Sequence, residues 1–225
     1  MAGALKAALG PNLAALLWHG SWARGEETPE SDHDLIVVLK QVDEEALLAM
    51  QHVFARRGLW STYVKSEEEL RRYPMTGRLQ FHHGLVVLHG SFDPPPVTKE
   101  GLIEEMRRLT TDIAHEARYR IIHASGREYF GMDADYVRIR TARWLYYQAK
   151  LAVLAMKTRE VVRGGSYPAN RAELKARLTD DNDISLLDTV DRWADVKSEY
   201  SRDFMPLAFM LDRFVQKLVS ELPQS

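Results

Sequence analysis

The sequence predicts an α+β protein, a small mixed-sheet domain followed by an all-helical bundle. Three observations carry this. Before residue 93, short apolar runs alternate with amphipathic stretches. Pro94-Pro95-Pro96 then interrupts the chain. Consecutive prolines exclude helix and interior strand, and the preceding Gly90-Ser91-Phe92-Asp93 reads as turn material. Beyond the prolines, apolar residues recur at helical spacing. The predicted domains are 1–93 and 97–225.

In the first domain, residues 13–18 read as a buried strand. Residues 35–39 read as a second, with Ile36, Val37 and Val38 giving three β-branched side chains in a row. Residues 43–57 fit a helix that gathers Ala46, Leu47, Met50, Val53 and Phe54 on one face. Residues 59–64 and 85–88 complete the strands. A small sheet carrying helices follows. Glu67, Glu68 and Glu69 read as the first turn of a helix capped by Ser66.

In the second domain, Leu102, Met106, Leu109, Ile113, Ala117 and Ile121 mark a helix over 102–124. A long helix over 136–162 ends at Gly164-Gly165, as glycine commonly ends helices. Residues 172–178, 184–200 and 206–222 bring the count to about five, an ordinary inventory for a bundle. No internal repeat or low-complexity tract is present.

Composition bounds the function. The 225 residues are 45% hydrophobic and 28% charged, with a formal net charge of -2. That balance argues against nucleic acid as a partner, although a local basic patch is compatible with it. Cysteine is absent, which excludes disulfides, thiolate metal sites and thiol nucleophiles. No apolar run reaches the length of a membrane span, and the N-terminus lacks the layout of a signal peptide. A cytoplasmic protein without membrane contact is the expectation.

The chemistry concentrates in His19-Gly20-Ser21-Trp22-Ala23-Arg24-Gly25 and Ser31-Asp32-His33-Asp34-Leu35. In an extended chain, residues two apart point to one face, so Asp32 and Asp34 can converge on a hard cation. Mg²⁺ prefers such oxygen ligands, alone or as a pair flanking an in-line phosphoryl displacement. The apolar run that follows buries the strand and fixes the direction of the acids. Gly20 permits a sharp turn and a close approach of phosphate to the main chain. Ser21 offers a hydroxyl and an N–H at the start of a short helix over 22–26, where unpaired N–H groups favour anions. A plain serine N-cap is the structural alternative.

Gly-Ser, then Ala-Arg-Gly, then Ser-Asp-x-Asp-Leu resembles the motif of the DNA-polymerase-β-type nucleotidyltransferase superfamily. The resemblance implies a nucleotidyltransferase domain that binds Mg²⁺ through Asp32 and Asp34. It implies ATP or another nucleoside triphosphate as co-substrate, contacted by Gly20, Ser21 and Ser31. Arg24 is read either as a further phosphate contact or as a salt-bridge partner. A third acid usually joins the pair from a later strand, but Ser61-Thr62-Tyr63-Val64-Lys65 carries none. Tyr73-Pro74 and Leu79-Gln80-Phe81 resemble the corresponding stretch of streptomycin/spectinomycin adenylyltransferases, where a glutamate follows as base. Here His82 and His83 follow, and His83 is the candidate base because imidazole accepts protons near neutral pH. The alternative is a pair of partly exposed histidines beside a strand.

The helical half offers less. Arg143, Lys150 and Lys157 are spaced by seven on one helix face. Lys150 is the candidate for a phosphate contact, against the reading of a solvated face. Trp144, Tyr146, Tyr147 and Trp193 read as bundle core or domain contact. Arg118 with His123, and Arg108 with His115, match the Arg–His spacing of HEPN nucleases. With 30 basic residues and 8 histidines, such matches arise by chance.

The expected activity is transfer of a nucleoside monophosphate, AMP from ATP foremost, to a hydroxyl of a small molecule or protein. Two other readings stand beside it: a toxin–antitoxin type nucleotidyltransferase that modifies or binds a helical protein partner, and nucleotide addition to an RNA 3′ end. A homodimer is compatible with the sequence.

Overall fold

The computed structural model describes residues 1–27, 31–55, 60–124 and 133–223. They form two compact units, Met1–Val97 and Thr98–Ser225. The end of the helix expected over 43–57 and the start of the strand expected at 59 lie partly outside the described residues.

The first unit opens with α1 (Ala2–Leu9) and a 3-10 turn (Gly10–Asn12), then β1 (Leu13–His19), α2 (Gly20–Arg24) and β2 (His33–Leu39). It continues through α3 (Glu44–Phe54), β3 (Trp60–Ser66), α4 (Glu67–Arg71), α5 (Met75–His83) and β4 (Val86–Gly90). The strands form one mixed sheet in the order β3-β2-β1-β4. β1 runs antiparallel to β2 and β4, while β2 and β3 are parallel.

Leu35 to Leu39 are all buried, because both faces of this central strand are covered. On one face, Leu16, Leu35, Val37 and Leu39 pack with Leu5 and Leu9 of α1 and with Ala46 and Met50 of α3. On the other, Ala15, Leu17, Ile36 and Val38 pack with Leu70 of α4 and Phe81 of α5. Local chemistry fixes the helix starts. Asp43 caps α3 by accepting the Ala46 N–H at 2.9 Å. Ser66 and Glu69 form a reciprocal capping box, with the Glu69 N–H donating to Ser66 Oγ at 3.1 Å and the Ser66 N–H to Glu69 Oε2 at 2.7 Å. Glu68 pairs with Arg71 and Arg72. Glu68 and Glu69 therefore serve their own helix.

The second unit is helical among its described residues: α6 (Lys99–Ile122), α7 (Ala134–Val162), α8 (Arg171–Arg177), α9 (Asp181–Asp191), α10 (Trp193–Arg202) and α11 (Met205–Glu221). The single helix expected over 184–200 is two. Arg192, at φ -106° and ψ 23°, leaves the helical conformation between α9 and α10. The break lets Trp193 stack on Tyr146 of α7 at 4.3 Å between centroids. No helix among the described residues is long and apolar enough to cross a membrane.

The bundle holds a buried charge cluster. Asp183, fully buried, accepts from Arg159 Nη2 and from Lys217 Nζ, each at 2.8 Å. Removing one member of a buried pair strands the other charge away from water. Asp183→Asn is expected to destabilise the second unit by about 3 kcal/mol in urea unfolding, the lower end of the range for broken buried pairs. A loss below about 1 kcal/mol would show the cluster to be hydrated.

Candidate active site

The antiparallel register of β1 and β2 brings the two sequence motifs together. His19, the last residue of β1, lies opposite Asp34 of β2. Gly20 then turns the chain into α2 with φ +84°, in the left-handed region that glycine adopts without penalty. A Cβ built on Gly20 would stand 1.9 Å from Asp34 Oδ2 and 2.7 Å from its carboxyl carbon. The carboxylate therefore occupies the space a side chain at position 20 would need. The turn and the acid touch because residue 20 is glycine.

Asp34 shares a face with Ile36 and Val38 by strand alternation, the side covered by Phe81. Asp32 is exposed and lies just ahead of the strand. Among the described residues, no group of three or more carboxylates, histidines or cysteines is arranged to hold a metal ion. The two aspartates thus have no third protein ligand beside them in that set. In the parallel pairing, the β3 residue opposite Asp34 is Ser61.

The short helix runs over Gly20–Arg24, slightly earlier than 22–26, because the turn itself begins it. Ser21 is half-buried in its first turn. Arg24 makes a salt bridge, its Nε donating to Glu26 Oε2 at 2.7 Å. The Arg24 stem also lies against Gly84, where a built Cβ would meet Arg24 Cγ at 2.8 Å. That packing sets the C-terminus of α5 beside α2. His82 and His83 close this helix rather than flank a strand, and both are exposed. Partial burial, with His82 adding, holds the His83 imidazole below its ordinary pKa. The Ser31 carbonyl accepts from Trp22 Nε1 at 3.3 Å, which ties the approach to β2 onto α2. Lys150 belongs to the other unit, where it is exposed on α7 with its ammonium 5.8 Å from the Tyr146 ring centroid.

Two residues escaped the motif reading. His19 follows Ala15 and Leu17 on the face shared with Asp34, and its ring meets Phe81 edge-on at 5.8 Å. Strand alternation alone would have placed it there. His33 takes the opposite face. Its ring is held between Trp22, at 4.6 Å, and Trp60, at 4.7 Å, with Trp18 at 5.9 Å. Trp60 is far from His33 in sequence, and the β2–β3 pairing brings it there.

Residues 4–87 match the family model of the nucleotidyltransferase domain. The matched stretch lies within the first unit. Among solved structures, a spectinomycin adenyltransferase from Enterococcus faecialis, crystallised with ATP and spectinomycin, aligns over 96% of each chain with a TM-score of 0.44 and 11% identity. A likeness at that level says nothing of substrate. No curated relative matches the chain.

Gly20→Ala should cost about 1–3 kcal/mol in thermal or urea unfolding, since the added carbon meets both a left-handed backbone and the Asp34 carboxylate. Unchanged stability would mean that the carboxylate swings away freely.

Burial, with Arg24 adding, lowers the His19 pKa to about 4. Its Nε2 is buried without a hydrogen-bond partner among the described residues. The unfolded chain then binds the proton more tightly than the folded one. The stabilisation is complete above the ordinary pKa of 6.5 and is lost as pH falls from there towards 4. The full span is worth about 3 kcal/mol. His19→Gln is expected to remove this part of the acid sensitivity, measured as the difference in urea midpoint between pH 7.5 and pH 5 against the parent.

Proposed function

We propose that the protein transfers a nucleoside monophosphate, AMP from ATP foremost, to a hydroxyl acceptor with release of pyrophosphate. The observation that carries this reading is the contact between Gly20 and the Asp34 carboxylate, within a domain of the nucleotidyltransferase family. A bare main-chain turn against a carboxylate suits a polyphosphate and the cation that accompanies it.

The donor set fits Mg²⁺. Asp32 and Asp34 offer hard oxygens two residues apart, and the space beside Gly20 is kept open for the second of them. These two aspartates would hold the ion. When bound, it supplies charge neutralisation on the phosphates and on the leaving oxygen.

In this reading, Gly20 and Ser21 receive the β and γ phosphates through main-chain N–H groups and the Ser21 hydroxyl. Ser31 and Arg24 frame the same turn, with Arg24 acting through Glu26 and Gly84 to hold α2 in place. The acceptor oxygen attacks the α-phosphorus, and a new P–O bond forms as the bond to the β-phosphate oxygen breaks. Pyrophosphate leaves with that electron pair. His83, neutral near pH 7, takes the acceptor's proton. Catalysis then comes mainly from alignment and charge neutralisation.

A second reading, a nucleotidyltransferase of toxin–antitoxin type directed at a helical protein, draws on one observation: no third metal-ligating side chain stands beside the two aspartates among the described residues.

The test is calorimetry of ATP with Mg²⁺. Asp34→Asn should weaken binding at least 10-fold, about 1.4 kcal/mol, because one carboxylate charge is removed from the ion. Parent and variant binding ATP–Mg²⁺ with equal affinity would overturn the assignment.

A further inference from the structure

The N-terminal half of α7 carries a stripe that the nucleotidyl-transfer reading does not use. Tyr136, Arg140, Arg143, Tyr147 and Lys150 are spaced by four, three, four and three residues. At about 100° per residue they fall within about 80° of one another around the helix. All five are exposed. The stripe extends about 21 Å at 1.5 Å per residue.

Among the described residues, its charges lack carboxylate partners. Arg140 donates to the Tyr136 hydroxyl at 3.0 Å, and Arg143 donates to the Tyr147 hydroxyl at 3.3 Å. Their guanidinium carbons lie 5.5 and 5.9 Å from the same rings. Lys150 sits 5.8 Å from the Tyr146 ring. Among the described residues, no Asp or Glu makes an ion pair with any of the three. Elsewhere in this unit, arginines are neutralised: Arg118 by Asp212 at 2.7 Å, Arg171 by Asp191 at 2.6 Å, and Arg138, on α7 itself, by Asp135. Glu116 of α6 reaches this half of α7 by accepting from Trp144 Nε1, but it is ion-paired with Arg120.

Three exposed, uncompensated cations in a row call for an anionic occupant. Two tyrosines interleaved with them call for one that also presents flat aromatic groups. A single-stranded polynucleotide has both at a regular spacing, whereas an acidic protein surface offers charge without the rings. A duplex hides its bases and would leave the tyrosines without a stacking partner.

We infer that the α7 stripe Tyr136–Arg140–Arg143–Tyr147–Lys150 binds a single-stranded polynucleotide, its cations on phosphates and its tyrosines under bases. This goes beyond the nucleotidyl-transfer reading and does not depend on it.

The test is fluorescence anisotropy of the full chain with a labelled 12-nucleotide RNA, the DNA of the same sequence, and the corresponding duplex, across KCl concentrations, without ATP or Mg²⁺. The parent should bind the single strands more tightly than the duplex, and the RNA and DNA arms distinguish which strand it prefers. Replacing Arg140, Arg143 and Lys150 together by Gln should weaken binding more than about 10-fold. It should also lower the slope of log affinity against log salt by about 2, at roughly 0.7 per lost phosphate contact. Arg140→Lys with Arg143→Lys should keep the slope. Tyr136→Ala with Tyr147→Ala should weaken binding with the slope unchanged, the mark of lost stacking. Failure of the parent to bind single strands at 50 mM KCl would overturn the inference. So would equal binding of the duplex, an unchanged slope in the Gln variant, or unchanged affinity in the tyrosine variant. Because the assay contains neither ATP nor Mg²⁺, failure here leaves the calorimetric result for Asp34 standing, and the reverse holds too.

Discussion

The first unit is organised around a close approach between backbone and carboxylate. The β1–β2 pairing sets His19 against Asp34, so the residue after His19 must turn within reach of the acid. Any side chain at position 20 would collide with the carboxylate, and the left-handed backbone there disfavours any residue with a Cβ. Glycine satisfies both conditions at once. The rest of the neighbourhood holds that approach in place. Leu35 to Leu39 bury β2 on both faces, which fixes the register, and a slip of one residue would turn Asp34 to the opposite side. Arg24, pinned between Glu26 and Gly84, keeps α2 from drifting off the strand ends.

Much of this was legible in the sequence, and the reasons are local. The strands β1 and β2 were readable because unbroken apolar runs mean burial on both faces. The α4 cap was readable because Ser66 sits immediately before an acidic first turn. Two helices were not. α1 is a short alanine-rich stretch, and α5 mixes Gly77 and two histidines with only a faint apolar stripe. Tertiary contact decides them instead: Leu5 is buried under the sheet on one side and Phe81 on the other. The division between α9 and α10 was hidden for the opposite reason. Leu187, Val190, Trp193 and Val196 continue the apolar spacing straight through the break, so periodicity has no mark at Arg192.

The candidate site divides along the same line. Asp32, Asp34, Gly20 and Ser21 were found because their spacing is itself the signal, and the structure explains the pair Gly20 and Asp34 in contact terms. His19 and His33 needed the sheet. One pleat apart in character, they take opposite faces: His19 goes to Phe81 on the side of Asp34, and His33 goes between tryptophans from α2 and β3. The His33 stack links three elements, and two of them carry the motif residues. It therefore joins the turn to the acids from behind, where no polar chemistry is visible in the primary sequence.

A net charge of -2 describes the whole chain and conceals how its charges are distributed. In the second unit, Asp183, Asp191 and Asp212 are spent on pairing with particular cations, one of them in the buried interior. Each such pair cancels within a few ångströms and contributes little field beyond it. What remains at long range is set by the residues left over. On α7, among the described residues, three cations stand at one helix face with tyrosines for neighbours and no carboxylate paired to them: Arg140 and Arg143 meet hydroxyls, and Lys150 lies near the Tyr146 ring. A tyrosine hydroxyl orients a guanidinium without neutralising it, so the charge still reaches into solvent, over roughly 8 Å at physiological salt. Balanced composition is thus compatible with a locally cationic surface, so the average over the chain does not describe the field at this helix.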